Sequence, residues 1–374
     1  MKQENFIPDM ADIGEPLLPK DFFPQRKIDG YPVRCISSNI RMQDTIAWEE
    51  YKAVPGVGNE GDFVLGRVKK VDARKEMEVF RDDTMAELSL HEGDYVVGIL
   101  ANRHSGTSEY AELPKQGVFI ENGKPIDLVS SGGVMAYSLG IPKSLGNGPT
   151  EIEMVGLLSK GDKPANIMDF LPPWETEMNP SASIILSLGT SAEIGKTTTA
   201  RKIIEGLRAK DKKVSTVKIS GTGRKRDIFI LGLSTDVPAY DFVDVGLPTT
   251  YTSLDRYVPA IYTLFNKINR ESPDVIVAEG GGDIIEGNLP FVLQDRNIMQ
   301  YVKGIVHSSS DALSIIGSLE VYKQLGVDVP IYLTYPYTKN FYAIEKRLRE
   351  QGIQTPMFDP MNKDDVVNVI DKII

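Results

Sequence analysis

The residues best suited to chemistry stand together at Gly189-Thr190-Ser191-Ala192-Glu193-Ile194-Gly195-Lys196-Thr197-Thr198. An apolar run, Ser183 to Leu188, precedes them, and Ala200, Ile203, Ile204 and Leu207 follow at helical spacing. A loop between a buried strand and a helix points backbone N–H groups at an anion, and the helix dipole favours negative charge there. Residues Thr190, Ser191, Ala192, Glu193, Ile194, Gly195, Lys196, Thr197 and Thr198 are therefore expected to cradle nucleotide phosphates. Lys196 is expected to reach the β and γ phosphates, and the Thr197 hydroxyl to sit on Mg²⁺, whose other positions prefer carboxylates, water and phosphate oxygens. The usual phosphate loop has four residues between its glycines; here Gly189 and Gly195 enclose five, and Thr190 occupies the usual first-glycine position.

The elements that must position this loop can be followed along the chain. After Ser183–Leu188, apolar runs at Val214–Ile219, Asp274–Glu279, Val302–His307 and Pro330–Thr334 alternate with helical patterns near 257–270, 312–322, 341–351 and 364–373. Alternation of this length predicts an α/β domain with parallel strands covered by helices on both faces, and ligands at the strands' carboxyl ends. The preceding half differs. Short apolar runs such as Phe63–Val68, Tyr95–Leu100 and Val118–Ile120 are broken by Glu-Gly-Asp and Asn-Gly turns, which predicts a β-rich, barrel-like domain over residues 1–160. Residues 161–182, with Pro164, Pro172, Pro173 and Pro180, read as a linker, leaving 183–374 as the nucleotide-binding domain.

The string GTSAEIGKT resembles the GTDTEVGKT-type loop of dethiobiotin synthetase and its relatives, which are P-loop NTPases. The DUF1611 family, in which a P-loop domain follows a different N-terminal domain, is a related resemblance. Within the first family's pattern, Val217-Lys218-Ile219-Ser220-Gly221 is similar to the lysine-bearing segment that contacts substrate and the γ-phosphate. Asp274–Gly282 looks like the apolar strand ending in a metal-binding glutamate, here Glu279. Asp227 falls near a further metal-linked acid. The resemblance thus implies catalytic roles for Lys196 and Lys218, Mg²⁺ held by Thr197, Asp227 and Glu279, ATP as cofactor, and a homodimer. The implied activity is that of an ATP-dependent ligase: a small carboxylate or carbamate is phosphorylated and then attacked by a nitrogen nucleophile. The alternatives are a nucleotide-dependent switch or chaperone acting on a protein, and a DUF1611-like amino-acid-modifying enzyme. The chain departs from the dethiobiotin synthetase pattern in the spacing after Lys218 and in Asp283–Asn288, which continues the glycine-rich segment.

Other polar stretches carry weaker expectations. Gly221–Arg226 reads as a flexible basic loop, as able to clamp an anion as to sit in solvent; His307 ends a strand on the active edge; Tyr335–Asn340 occupies the usual base-contacting region; and Ala101–Tyr110 reads as a surface loop. The 374 residues carry a net charge of −10, which opposes wrapping of nucleic acid by phosphate neutralisation. No apolar run reaches the roughly 18 residues of a membrane span. The N-terminal residues lack a basic stretch followed by an apolar run, so a cytoplasmic protein without a secretory signal is expected. One cysteine, Cys35, excludes an internal disulfide, and three scattered histidines argue against a three-histidine metal centre.

Overall fold

The computed structural model describes residues 26–81, 84–334 and 340–374. From Ser183 onward the strands form a wholly parallel sheet. They are β1 (Ser183–Gly189), β2 (Val214–Ser220), β3 (Tyr240–Asp241), β4 (Val275–Gly280), β5 (Val302–Ser308), β6 (Ile331–Thr334) and β7 (Met357–Phe358), in the order β3-β2-β4-β1-β5-β6-β7. Strands β2 and β4 are buried along their whole length, because helices cover both faces, and this is why they read as continuous apolar runs. The helices are α1 (Lys196–Arg208), α2 (Lys225–Gly232), α3 (Leu254–Asn269), α4 (Leu289–Gln294), α5 (Arg296–Met299), α6 (Ala312–Gln324), α7 (Phe341–Glu350) and α8 (Lys363–Ile373). Helix α1 buries Ala200, Ile203, Ile204 and Leu207 in a core shared with Val366, Val369 and Ile370 of α8. The chain moves outward on one side through β2 and β3, returns to insert β4, and continues on the other side of β1. The crevice where ligands bind in such sheets is therefore at the carboxyl ends of β1 and β4.

Three elements in this half differ from the sequence reading. The basic segment after β2 is short: Gly221 turns the chain at φ +119°, Thr222 bridges to Thr249, Arg224 is extended, and Lys225 already opens α2. Helices α4 and α5 were not expected; they are brief, and α4 carries Pro290 in its first turn, where proline is tolerated, so no sustained apolar period is left to read.

The N-terminal half is β-rich. Its long strand Thr150–Lys160 alternates buried and half-buried residues over its first half, is buried through Ser159, and pairs with Phe63–Lys70, Pro125–Leu128 and Lys52–Val54. The sheet curls until Val134–Met135 pair with Ile99–Leu100 in parallel, a curvature in keeping with the β-rich, barrel-like half expected from sequence, without making a closed barrel. Strand Arg26–Ile28 at one end and Arg103–His104 at the other remain as edges. The Pro-rich stretch is packed against α3: Glu175 N donates to Thr263 Oγ1 (2.7 Å), Asn179 N to Asn266 Oδ1 (2.8 Å) and Ala182 N to Asn269 Oδ1 (3.0 Å). No helix among the described residues is long and apolar enough to cross a membrane.

One apolar cluster runs through both halves, with Ile36, Trp48, Phe63 and Val97 on one side and Ile184, Phe242, Tyr257 and Phe265 on the other. Charged contacts lock the same seam. Arg41 Nη2 donates to the fully buried Asp241 Oδ2 at 2.7 Å. Arg224 donates to Glu78 Oε1 (2.7 Å) and Glu87 Oε1 (2.9 Å). Thr252 Oγ1 donates to Glu60 Oε2 at 2.8 Å. Backbones also meet directly: a Cβ on Gly132 would lie 2.3 Å from Gly223 O, so only glycine fits at that crossing. Removing one partner of a buried ion pair strands the other charge, so Arg41→Ala should destabilise the protein by about 3–5 kcal/mol. In urea unfolding, Arg41→Ala/Asp241→Asn should recover part of that loss; equal midpoints for wild type and Arg41→Ala would contradict the role given to this pair.

Candidate active site

The loop between β1 and α1 is shaped by two glycines with different tasks. Gly195 has φ +92° and caps α1 from the left-handed region, where side chains are strained. Gly189 has a close neighbour instead: a Cβ there would lie 2.7 Å from Ser308 O on β5. Thr190 has an ordinary φ and donates its N–H to Ser308 O at 3.1 Å, so the glycine is needed one position earlier than in the usual loop. The extra residue is thus accommodated at the strand end, and Gly195, Lys196 and Thr197 keep their place at the helix N-terminus.

Lys196 is buried, and its ammonium donates to the carbonyls of Ser191 and Gly282, the latter at 2.8 Å. Burial pulls its pKa down to about 8, against the pull of Glu279. The Thr197 hydroxyl donates to Glu279 Oε1 at 2.8 Å. Glu279 lies at the end of β4, in register with Ser187 of β1 and Lys218 of β2. Its second oxygen, Oε2, is buried without a hydrogen-bond partner, and burial pushes its carboxyl above the usual range although Lys218 opposes this. An unpaired buried carboxylate oxygen beside a threonine hydroxyl is what a hard divalent cation fits. The structure therefore brings Thr197 and Glu279 together as a donor pair that could hold Mg²⁺.

Asp227, the third expected metal ligand, is engaged otherwise. It lies in the first turn of α2 and forms an ion pair with the buried Lys218 ammonium. Burial works against ionisation of Asp227, but Lys218 and Arg224 outweigh it and hold the carboxyl below its usual range. Lys218 is held above the ordinary lysine range because Asp227 and Glu279 overcome the cost of burying it. Among the described residues no group of three or more His, Cys, Asp or Glu side chains is arranged around a metal position. A cation here would draw its remaining ligands from phosphate and water.

These residues line one wall of a cleft of about 620 Å³ between the two halves. The opposite wall was not anticipated. It consists of Arg74, Arg103 and the Ser105–Ser108 turn, so Ala101–Tyr110, expected to be a surface loop, is part of the cleft. Arg224 lines the cleft too, but its guanidinium is committed to Glu78 and Glu87. Two further groups were missed on the segment after β4. Glu286 accepts from Tyr251 and from Asp283 N at 3.3 Å; burial and then Asp283 raise its pKa to about 6. The signal for it was present, since Asp283 and Glu286 follow the glycines of β4 directly, but nothing local told which way they face.

His307 does not reach the cleft. It is fully buried behind the loop, its Nδ1 paired with Tyr322 OH at 2.7 Å, and burial drives its pKa down to about 3, so the ring stays neutral. Asp311 instead caps α6, accepting from Ser314 N at 2.9 Å. The base-contacting segment Tyr335–Lys339 lies outside the described residues.

No protein-family model matches the chain. No curated protein matches it either. Several solved structures align with about half of the chain at low overlap. Chloroplast FtsY from Physcomitrella patens aligns at 17% identity and TM-score 0.35, over 55% of this chain and 70% of its own. A plasmid partition protein from Borrelia burgdorferi aligns at 12% identity and TM-score 0.35, over 52% of this chain and all of its own (100%). The signal recognition particle receptor FtsY from Elizabethkingia anophelis, in complex with GDP, aligns at 14% identity and TM-score 0.35, over 53% of this chain and 66% of its own. At such values the likeness carries no functional weight, and the expectation that the loop binds phosphate rests on its own geometry: a glycine-capped helix start at the end of a central parallel strand, with Lys196, Thr197 and Glu279 converging on it.

Proposed function

We propose that the protein is a nucleotide-dependent phosphoryl-transfer enzyme that activates a small carboxylate or carbamate for attack by a nitrogen nucleophile, with ATP and Mg²⁺ as cofactors. The single observation that carries this reading is the cleft itself: a phosphate loop on one wall faces cationic and hydroxyl side chains of the other half across a gap of small-molecule size. In this reading residues 183–374 are the nucleotide domain and the N-terminal half supplies the acceptor site. A homodimer belongs to the same proposal.

Phosphoryl transfer needs positioning and charge neutralisation more than covalent help. The N–H groups of Gly195 to Thr198 and the Lys196 ammonium hold the β and γ phosphates; Thr197 and Glu279 would hold Mg²⁺, which when bound would supply further positive charge to the phosphates. A carboxylate oxygen of the acceptor attacks the γ-phosphorus, the bond to the bridging oxygen breaks, and nucleoside diphosphate leaves. The nitrogen nucleophile then attacks the acyl carbon and inorganic phosphate departs. Lys218, fixed by Asp227 and lining the same cleft, supplies positive charge toward the transferred group. Glu286 takes the proton released by the nitrogen. The shared core and the buried Arg41–Asp241 pair hold the cleft walls in fixed relation, which suits a small-molecule site.

Lys196→Ala should lower nucleotide turnover by roughly a hundredfold or more while circular dichroism and melting temperature stay near wild type, as expected for a lost phosphate contact. Full turnover in that variant would remove the loop from the mechanism. Glu286 meets Asp283, Tyr251 and Lys196 in the cleft, and its pKa of about 6 sets the acid limit of the reaction. A base must be deprotonated to act, so the rate of the nitrogen-dependent step should fall as pH drops below about 6. Glu286→Gln should cost on the order of 100-fold in that step and flatten the acid limb; an unchanged limb would assign it to another group.

A further inference from the structure

Outside the phosphate loop, the strongest unassigned feature is the wall opposite. Strand Arg103–His104 pairs antiparallel with Tyr110–Glu112, and the turn between them enters the cleft as Ser105, Gly106, Thr107 and Ser108. Gly106 has nothing within 4 Å of where a Cβ would stand, so its backbone borders open space. Behind the turn, two guanidiniums share one carboxylate. Arg74 binds Glu109 through two nitrogens, Nε at 2.6 Å, while Arg103 Nη1 lies 3.5 Å from Glu109 Oε2 and donates to Val129 O. Glu109 is fully buried, Arg103 is 9% exposed, and Arg103 Nε is buried without a partner. The cluster therefore carries one positive charge in excess, away from water. Burial, and then the charge of Arg74, pull the Arg103 pKa down to about 10, so the two cations press on one another.

An excess guanidinium charge in a sheltered cleft wall is satisfied by an anion, and a planar fork matches a carboxylate best. Arg224 does not compete for that role, because Glu78 and Glu87 occupy it. We propose that Arg103, with the Ser105–Ser108 turn, forms a carboxylate-binding subsite that Arg74 positions through Glu109 and Ser108, so that the acceptor carries two acidic groups: one phosphorylated at the nucleotide wall and one anchored on the arginine wall. This rests on the reading of the cleft as a phosphoryl-transfer site and narrows its substrate class. Anchoring one end at a fixed distance from the γ-phosphate presents the other end for in-line attack, which is how remote binding energy serves the reacting centre.

The test is calorimetric titration of the full chain, with AMPPNP and Mg²⁺ present, using succinate, glutarate and adipate against propionate, butyrate and valerate. One dicarboxylate should bind about tenfold or more tightly than its monocarboxylate counterpart, as a charge-assisted hydrogen-bond pair supplies. Arg103→Gln should abolish that preference. Arg74→Lys, which keeps the charge beside Glu109 and so protects the fold, should reduce it. The absence of any preference, or its survival in Arg103→Gln, would overturn the subsite. If both arginine variants instead weaken AMPPNP as much as the dicarboxylate, the wall serves the γ-phosphate and the proposal also falls. If wild type binds no AMPPNP yet prefers a dicarboxylate in an arginine-dependent way, the subsite stands and the nucleotide reading fails.

Discussion

Charges removed from water across the seam between the halves fix everything else in this protein. Asp241 is fully buried and would be prohibitive without the guanidinium of Arg41 from the other half. Glu78 is equally buried and receives Arg224 and Lys225 N, both from the segment that follows β2. Neither half can leave the other without exposing or stranding these groups, and the continuous apolar cluster beneath them raises the cost further. The seam is thus an internal core interface, and the cleft at its rim has fixed walls.

That rigidity gives the cleft its chemical character. The parallel sheet delivers Lys218 and Glu279 side by side at neighbouring strand ends, and the glycine-capped start of α1 adds Lys196 and Thr197 to the same place. Each charge there is tied to a counterpart: Lys218 to Asp227, Thr197 to Glu279 Oε1, and the Lys196 ammonium to loop carbonyls. Glu279 Oε2 and the Arg103 guanidinium are under-satisfied, and they lie on opposite walls. A site built this way favours a bound cation on one side and a bound anion on the other, in a setting where electrostatic interactions are stronger than in water.

The parts of this arrangement legible in the sequence are those encoded locally. The phosphate loop, with its strand before and helix after, is contiguous, and fully buried parallel strands such as Val214–Ser220 and Val275–Gly280 announce themselves as apolar runs. Glu279 stands out in the sequence because it ends such a run. What escaped is what long-range packing decides. Arg74 and Arg103 are each more than about 85 residues from Gly189 and meet the loop's cleft only through the seam. Arg226 and Arg224 read as a loose basic loop, whereas buried Glu78 and half-buried Glu87 recruit the segment into the interface. His307 and Asp227 show the converse: each is of a type and place suited to function, and each is claimed by a neighbour, Tyr322 or Lys218. The curled sheet short of a closed barrel reflects strand pairings that alternation alone does not specify.

The most direct test of a fixed, two-walled phosphoryl-transfer cleft is a crystal structure of the full chain with AMPPNP and Mg²⁺. The account predicts β and γ phosphate oxygens at about 3 Å from the N–H groups of Gly195 to Thr198 and from Lys196 Nζ, with Mg²⁺ between Thr197, Glu279 and the phosphates. It also predicts that the Arg41–Asp241 and Arg224–Glu78 pairs remain intact and that the γ-phosphate faces the arginine wall. Nucleotide bound away from the loop, or halves rotated apart with those pairs broken, would contradict it.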